Sequence, residues 1–259
     1  MSATKNNDLQ LAVLIDADNV PSKAINEMME EVSKYGKPTF KRIYGDFTSS
    51  QLQGWKDVLN EHAITPMQQY RYTVGKNASD SALIIDAMDM LHTAEVDGFF
   101  IVSSDSDFTK LATRLREGGK AVFGMGEKKT PMPFIKACEK FIYIEVLRGK
   151  PEPARGADKS RDPEKSKPIE TIDARLTRLL VSTVEDLADE SGWVQMGRLG
   201  EGILKNRSDF DPRNFGFKRL TDLIASMPEL KLEARETGQG NLRNYYVRLR
   251  EKLPLGRGR

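Results

Sequence analysis

Apolar residues follow two alternating rhythms along the first 147 positions of this chain. Short runs richer in apolar residues at 11–16, 40–44, 64–69, 99–103, 121–124 and 141–144 read as strands, the first almost wholly apolar and so buried. Between them, apolar residues recur every three or four positions. Ile25, Met28, Met29 and Val32 make one stripe, Leu52, Trp55, Val58 and Leu59 a second, and Leu83, Ile84, Ala87, Met88 and Leu91 a third. These stripes predict helices over 21–35, 51–62 and 79–91, followed by 108–116 and a short helix over 133–138. Pro21 suits a first helical turn, while Gly36-Lys37-Pro38 and Gly118-Gly119 supply stops. Alternation of this kind predicts an α/β sandwich whose mostly parallel sheet is joined by right-handed crossovers.

The rhythm stops at about residue 148. Positions 149–169 hold Pro151, Pro153, Pro163 and Pro168 among mixed charges and read as an extended linker. A different pattern follows over 170–250. Leu176, Leu179, Leu180, Val184 and Leu187 predict a helix over 172–191, with further helices over 199–205 and 214–227. Two strands, 230–234 and 245–249, are expected across a turn at 237–241. Three helices and a hairpin are the order of a small winged helix-turn-helix. The last residues, 251–259, form a basic Gly/Pro-containing tail.

Composition narrows the function. The 259 residues carry 40 basic and 38 acidic side chains, a net charge of +2, so nucleic-acid binding must rest on local patches. Cys138 is the single cysteine, which excludes an internal disulfide and a zinc-finger cluster. No run approaches a membrane span, and the polar start does not read as a signal peptide, so a cytoplasmic setting is expected and no membrane partner. Only His62 and His92 are available for acid–base work, and both read as ordinary helix or helix-end residues.

Acids punctuate the strands. The first run ends in Asp16-Ala17-Asp18-Asn19, and the fourth in Ser103-Ser104-Asp105-Ser106-Asp107-Phe108. In an open α/β sheet ligands sit outside the carboxyl ends of strands. Asp16 and Asp105 would occupy that edge, Asp107 the start of the next helix, and Asp80 the start of the helix over 79–91. Crowded carboxylates ask for a cation, and an all-oxygen donor set suits one or two Mg²⁺ or Mn²⁺ ions. Such a site needs no protein nucleophile. Plainer readings stand beside this one. Asp80 and Asp107 suit helix N-caps or first-turn acids, and Asp105 suits a turn. Asp16, directly after five apolar residues, is harder to explain without a partner. Asp18 and Asn19 read as turn or cap residues, although Asn19 can also orient a ligand. Asp86 either supports the site or forms a structural ion pair.

The segments Leu14-Ile15-Asp16-Ala17-Asp18-Asn19, Lys76-Asn77-Ala78-Ser79-Asp80 with Ile85-Asp86-Ala87-Met88, and Ser103-Ser104-Asp105-Ser106-Asp107-Phe108 together resemble the NYN family. That family is a PIN-like nuclease group that includes the LabA-like proteins. The resemblance covers 9–148 and implies a PIN-like three-layer α/β/α fold and metal-dependent ribonuclease activity. It also implies that Asp16, Asp80, Asp105 and Asp107 match the family's acidic positions. Ser104 replaces the glycine usual before the strand-four aspartate. In the polar loop before Asp80, Arg71 and Lys76 are candidate phosphate contacts, and Tyr70 and Tyr72 candidate base-stacking residues or core-facing ones.

Residues 170–250 resemble an OST-HTH (LOTUS) domain through Gly192-Trp193-Val194, the segment from Asn214-Phe215-Gly216-Phe217 to Leu223-Ile224, and Tyr245-Tyr246-Val247-Arg248. This resemblance implies RNA binding, or binding of a protein partner, without catalysis. Arg213, Lys218, Arg219, Arg235 and Arg243 are its candidate phosphate contacts. The expected function is therefore Mg²⁺- or Mn²⁺-dependent hydrolysis of RNA. Two rivals are a non-catalytic RNA-binding scaffold and a haloacid-dehalogenase-like phosphatase, whose first motif Leu14-Ile15-Asp16-Ala17-Asp18 also resembles.

Overall fold

The computed structural model describes residues 8–70, 78–147, 168–236 and 243–250. The chain divides into two compact units, Met1–Ser166 and Lys167–Arg259. In the first, strands β1 (Gln10–Asp16), β2 (Lys37–Gly45), β3 (Thr65–Gln68), β4 (Gly98–Val102), β5 (Ala121–Gly126) and β6 (Lys140–Tyr143) form one sheet. Their order is β3-β2-β1-β4-β5-β6, and every neighbouring pair is parallel. β1 and β4 are therefore adjacent in the sheet without being consecutive in the chain. Strand order switches there, which opens a crevice beyond their carboxyl ends.

Helices α1 (Ile25–Val32), α2 (Gln53–Glu61), α3 (Ala78–Thr93), α4 (Phe108–Glu117) and α5 (Met132–Ala137) cover the sheet. Leu11, Val13 and Ile15 pack with Ile25, Met28 and Val32 of α1 and with Trp55 and Leu59 of α2. On the other face α3 lies against β1 and β2, α4 against β5, and α5 against α4. The result is a PIN-like α/β/α sandwich. Leu11 to Ile15 and Phe99 to Val102 are wholly inaccessible, as strands covered on both faces must be. Alternation along β1 puts Asp16 on the same face as α3 and α4.

Boundaries differ from the sequence reading in instructive places. The helices expected from 21 and 51 begin as single 3₁₀ turns, Ser22–Ala24 and Ser50–Leu52. β2 starts at Lys37 rather than 40 and includes Pro38. Only β1 flanks that part of the strand, since β3 pairs from Arg42 onward, so the missing N–H of Pro38 interrupts no second ladder.

In the second unit α6 (Ala174–Leu187), α7 (Met196–Asn206) and α8 (Leu220–Ala225) pack with a small sheet of β7 (Val194–Gln195), β8 (Leu230–Glu236) and β9 (Arg243–Leu249). The sheet order is β7-β9-β8, antiparallel throughout. Asp173 caps α6 by accepting from the N–H groups of Arg175 at 3.0 Å and Leu176 at 2.8 Å. Asp189 gathers the N–H groups of Ser191 and Trp193, turning the chain where helix was expected to run on to 191. The helix expected over 214–227 is two pieces, a 3₁₀ turn at Pro212–Phe215 and α8. Gly216, at φ +83°, breaks it, a conformation that favours glycine. β7 was missed because two residues carry no period. The expected linker, apart from its last two residues, the turn at 237–241 and the basic tail lie outside the described residues.

Candidate active site

Five aspartates meet around the carboxyl ends of β1 and β4. Asp16 closes β1 and is 1 % exposed. Its Oδ2 accepts from Asn19 Nδ2 at 2.6 Å and Ser103 Oγ at 2.8 Å, and its Oδ1 from the N–H of Asp18 at 3.1 Å. Burial raises its pKa, and these donors oppose the rise. Asp80 enters from the first turn of α3, Asp105 from the loop after β4, and Asp107 from the N-cap position of α4. The Asp107 side chain makes no capping bond to α4. Its N–H instead donates to Asp105 Oδ1 at 2.8 Å, while the N–H of Asp105 donates to Ser103 Oγ at 3.1 Å.

One carboxylate oxygen each from Asp80, Asp105 and Asp107 lie within 4.8 Å of one another. Asp16 stands outside that triplet, yet its charge reaches Asp80. The half-buried Asp80 carboxyl is pushed up to about 6, first by desolvation and then by the charges of Asp16, Asp105, Asp107 and Asp18. A carboxyl that resists ionisation because it is desolvated among like charges marks a place where a cation would be stabilised. The donors are all oxygen, which fits Mg²⁺ or Mn²⁺.

Two residues beyond those expected join this edge. Ser103 links Asp16 to Asp105, and Asp18 accepts from Ser79 Oγ at 3.2 Å, which ties the β1 loop to the start of α3. The Asp-x-Asp spacing of Asp16 and Asp18 was visible, but Ser103 becomes meaningful only once β1 and β4 are paired. Ser104 Oγ accepts from the N–H of Glu127 at 2.8 Å, holding the loop after β4 to the one after β5. Asn19 orients Asp16 and also lines a groove of about 490 Å³ with Lys23, Gln51, Glu127 and Lys129. That volume is in the range of small-molecule clefts.

Asp86 turns elsewhere. It pairs with the Arg42 guanidinium and accepts from the Tyr44 hydroxyl, fastening α3 to β2. Burial and this carboxylate raise the Tyr44 pKa. Arg71, Tyr72 and Lys76 lie outside the described residues, and Tyr70 is exposed. In the second unit Arg213 is held by both oxygens of Asp211, Lys218 and Arg219 are exposed before α8, and Arg243 is exposed at the start of β9. Arg235 stacks on Trp193 and Tyr246.

The fold and its acidic edge define a PIN-like domain. Residues 10–145, over half of the chain, match the family model of the NYN domain, and the chain belongs to the NYN family, which comprises nucleases. Residues 167–242 match the OST-HTH/LOTUS domain, which indicates RNA binding. Among solved structures, a protein of unknown function from Vibrio parahaemolyticus is similar at 19% identity and a TM-score of 0.47, over 56% of this chain and 96% of that one. An uncharacterized protein from Nitrosomonas europaea is similar at 27% identity and a TM-score of 0.29, over 40% of this chain and 90% of that one. No curated protein matches the chain. Among the described residues no helix is long and apolar enough to cross a membrane.

Proposed function

We propose that the first unit is a Mg²⁺- or Mn²⁺-dependent ribonuclease and that the second recruits its RNA substrate. The observation that carries this reading is the triplet of oxygens from Asp80, Asp105 and Asp107 within 4.8 Å. These three residues would hold the ion. Asp16, already bonded at both oxygens, contributes negative charge and keeps Asn19 and Ser103 in position. When bound, such an ion lowers the pKa of a water and offsets charge on a phosphate oxygen during hydrolysis.

The chain's own residues prepare the site. Ser103 Oγ holds the Asp105 backbone N–H and the Asp107 N–H donates to the Asp105 carboxylate, so that carboxylate is placed before substrate arrives. Lys23 and Lys129 on the adjoining groove supply positive charge for a phosphate strand, with Lys129 shared with Glu127 at 2.7 Å. A tethered RNA-binding unit would raise the local concentration of RNA at this edge. The phosphatase reading has less support, because an aspartate nucleophile at position 16 would have to attack from a carboxylate that is 1 % exposed.

The test is cleavage of single-stranded RNA by the purified chain with Mg²⁺ or Mn²⁺. EDTA and Asp105→Asn should each abolish it, and unchanged activity in Asp105→Asn would sink the assignment. Tight RNA binding without cleavage, across several metals and substrates, would make the unit a binding scaffold instead.

A further inference from the structure

The small sheet of the second unit has one face in the core and one outside it. Leu230, Leu232, Val247 and Leu249 belong to the core, which places Lys231, Glu233, Arg235, Tyr246 and Arg248 on the opposite face by strand alternation. The antiparallel register sets Lys231 across from Arg248 and Glu233 across from Tyr246. Trp193, just before β7, lies among them with only 8 % of its surface exposed.

Three cations surround that one indole. Arg235 Cζ lies 4.7 Å from its centroid, Arg248 Cζ 4.8 Å and Lys231 Nζ 5.8 Å. Arg235 is also 4.5 Å from the Tyr246 centroid, so its guanidinium is held between two rings. Gathering three like charges is unfavourable, and ring faces offset part of that cost. The acids at hand are fewer than the cations. Glu233 pairs with Arg235 at 2.9 Å, and Asp189 feels the Arg235 charge from the turn before Trp193. The Arg248 Nε is buried without a hydrogen-bond partner among the described residues. A surplus of cations held on ring faces, two of them planar guanidiniums, fits an anionic partner. Elsewhere in the unit, Arg207 is occupied by Glu170 and Asp209, and Arg213 by Asp211.

We propose that this sheet face is where the second unit holds single-stranded RNA, with phosphates on Lys231, Arg235 and Arg248 and a base against Tyr246. The proposal rests on the RNA-binding reading of the unit and locates it away from the helix side carrying Lys218 and Arg219. A single strand is favoured over a duplex because only unstacked bases can meet an aromatic side chain set within a sheet face.

The experiment measures binding of the full chain to a fluorescein-labelled oligouridylate by anisotropy, in EDTA, over a series of salt concentrations. Arg235→Gln with Arg248→Gln should weaken binding at least about tenfold at fixed salt and flatten the salt slope by about 1.4, since each single-strand phosphate contact contributes roughly 0.7. Lys231→Gln alone should flatten it by about 0.7. Should the double variant fail to fold by circular dichroism, Lys231→Gln decides. Parental affinity and slope in the folded sheet variants would overturn the proposal while leaving RNA binding intact and the face free for an acidic protein. Preference for a duplex would overturn it too. A parent chain that binds no RNA would overturn the underlying reading as well.

Discussion

The Ser103 hydroxyl donates to Asp16 Oδ2 across 2.8 Å, although 87 positions separate the two residues in the chain. Ser103 Oγ also accepts from the Asp105 N–H at 3.1 Å, so one hydroxyl couples the acid that ends β1 to the acid that follows β4. Ser103 is fully buried, at the end of the paired strands β1 and β4. Removing the hydroxyl takes one donor from a buried carboxylate and one acceptor from a backbone N–H. Ser103→Ala should therefore lower cleavage roughly 10- to 100-fold, as loss of a partner behind metal ligands commonly does. It should also destabilise the first unit by about 1–3 kcal/mol. Added Mn²⁺ should recover part of the activity. Full activity at low metal concentration would show that Ser103 does not position the site.

Asp80 makes stability depend on pH. Its carboxyl is raised from an ordinary 3.8 to about 6. Below pH 3.8 both folded and unfolded chains hold that proton. Between there and pH 6 only the folded chain does, so stability falls as pH rises and the loss is complete above 6. The full shift corresponds to about 3 kcal/mol, which solvent screening of a half-exposed group reduces to roughly 1–2 kcal/mol. In metal-free buffer, urea unfolding at pH 4.5 and pH 7.5 should show this decline for the parent chain. Asp80→Asn should remove Asp80's contribution to it. Mg²⁺ should stabilise the parent at pH 7.5 and leave Asp80→Asn little changed. An identical pH profile in the two chains would mean that the acids do not crowd one another.

Asp86 should behave as structure. Its links to Arg42 and Tyr44 join α3 to β2, with the Arg42 side chain 30% exposed and that of Asp86 16%. Asp86→Ala leaves a partly buried guanidinium and a buried phenol short of a partner, which should cost about 2–3 kcal/mol in urea unfolding. Cleavage measured well below the unfolding temperature should stay within about twofold of the parent, because no bond to the acidic triplet is lost. A large fall in activity without destabilisation would place Asp86 in the site.

Gly126 ends β5 where the backbone passes close to the loop after β4. A Cβ there would lie 2.4 Å from the Ser103 carbonyl oxygen and 2.8 Å from Thr130 Oγ1. Backbone must move to admit it, so Gly126→Ala should destabilise the first unit by about 2 kcal/mol or more and reduce cleavage through Ser103. Gly119→Ala, at φ +75° but with nothing within 4 Å, is the comparison. It should lose stability by backbone strain alone and keep its activity.

Local chemistry determined much of this molecule. An unbroken apolar run such as Leu11 to Ile15 has one low-energy use, a strand covered on both faces, and the stripe Leu52, Trp55, Val58 and Leu59 has one face to bury. Residues 10–16 and 98–102 are strands for that reason, and the acids after them mark where each strand stops. Periods shorter than a turn carry no such information, which is why β7 was invisible and why Gly216 divided a helix that its neighbours' apolar spacing joined.

The order β3-β2-β1-β4-β5-β6 was decided only by tertiary packing. Pairing β1 with β4 sets Ser103 beside Asp16, draws Asp80 and Asp107 to the same edge from two different helices, and sends Asp86 to Arg42 instead. These relationships join positions dozens of residues apart, and hydrophobic periodicity is blind to them because it records which face a residue turns inward, not which strand it meets there. Sequence alone placed acids at the ends of strands; sheet order determined which of them share a space of 4.8 Å.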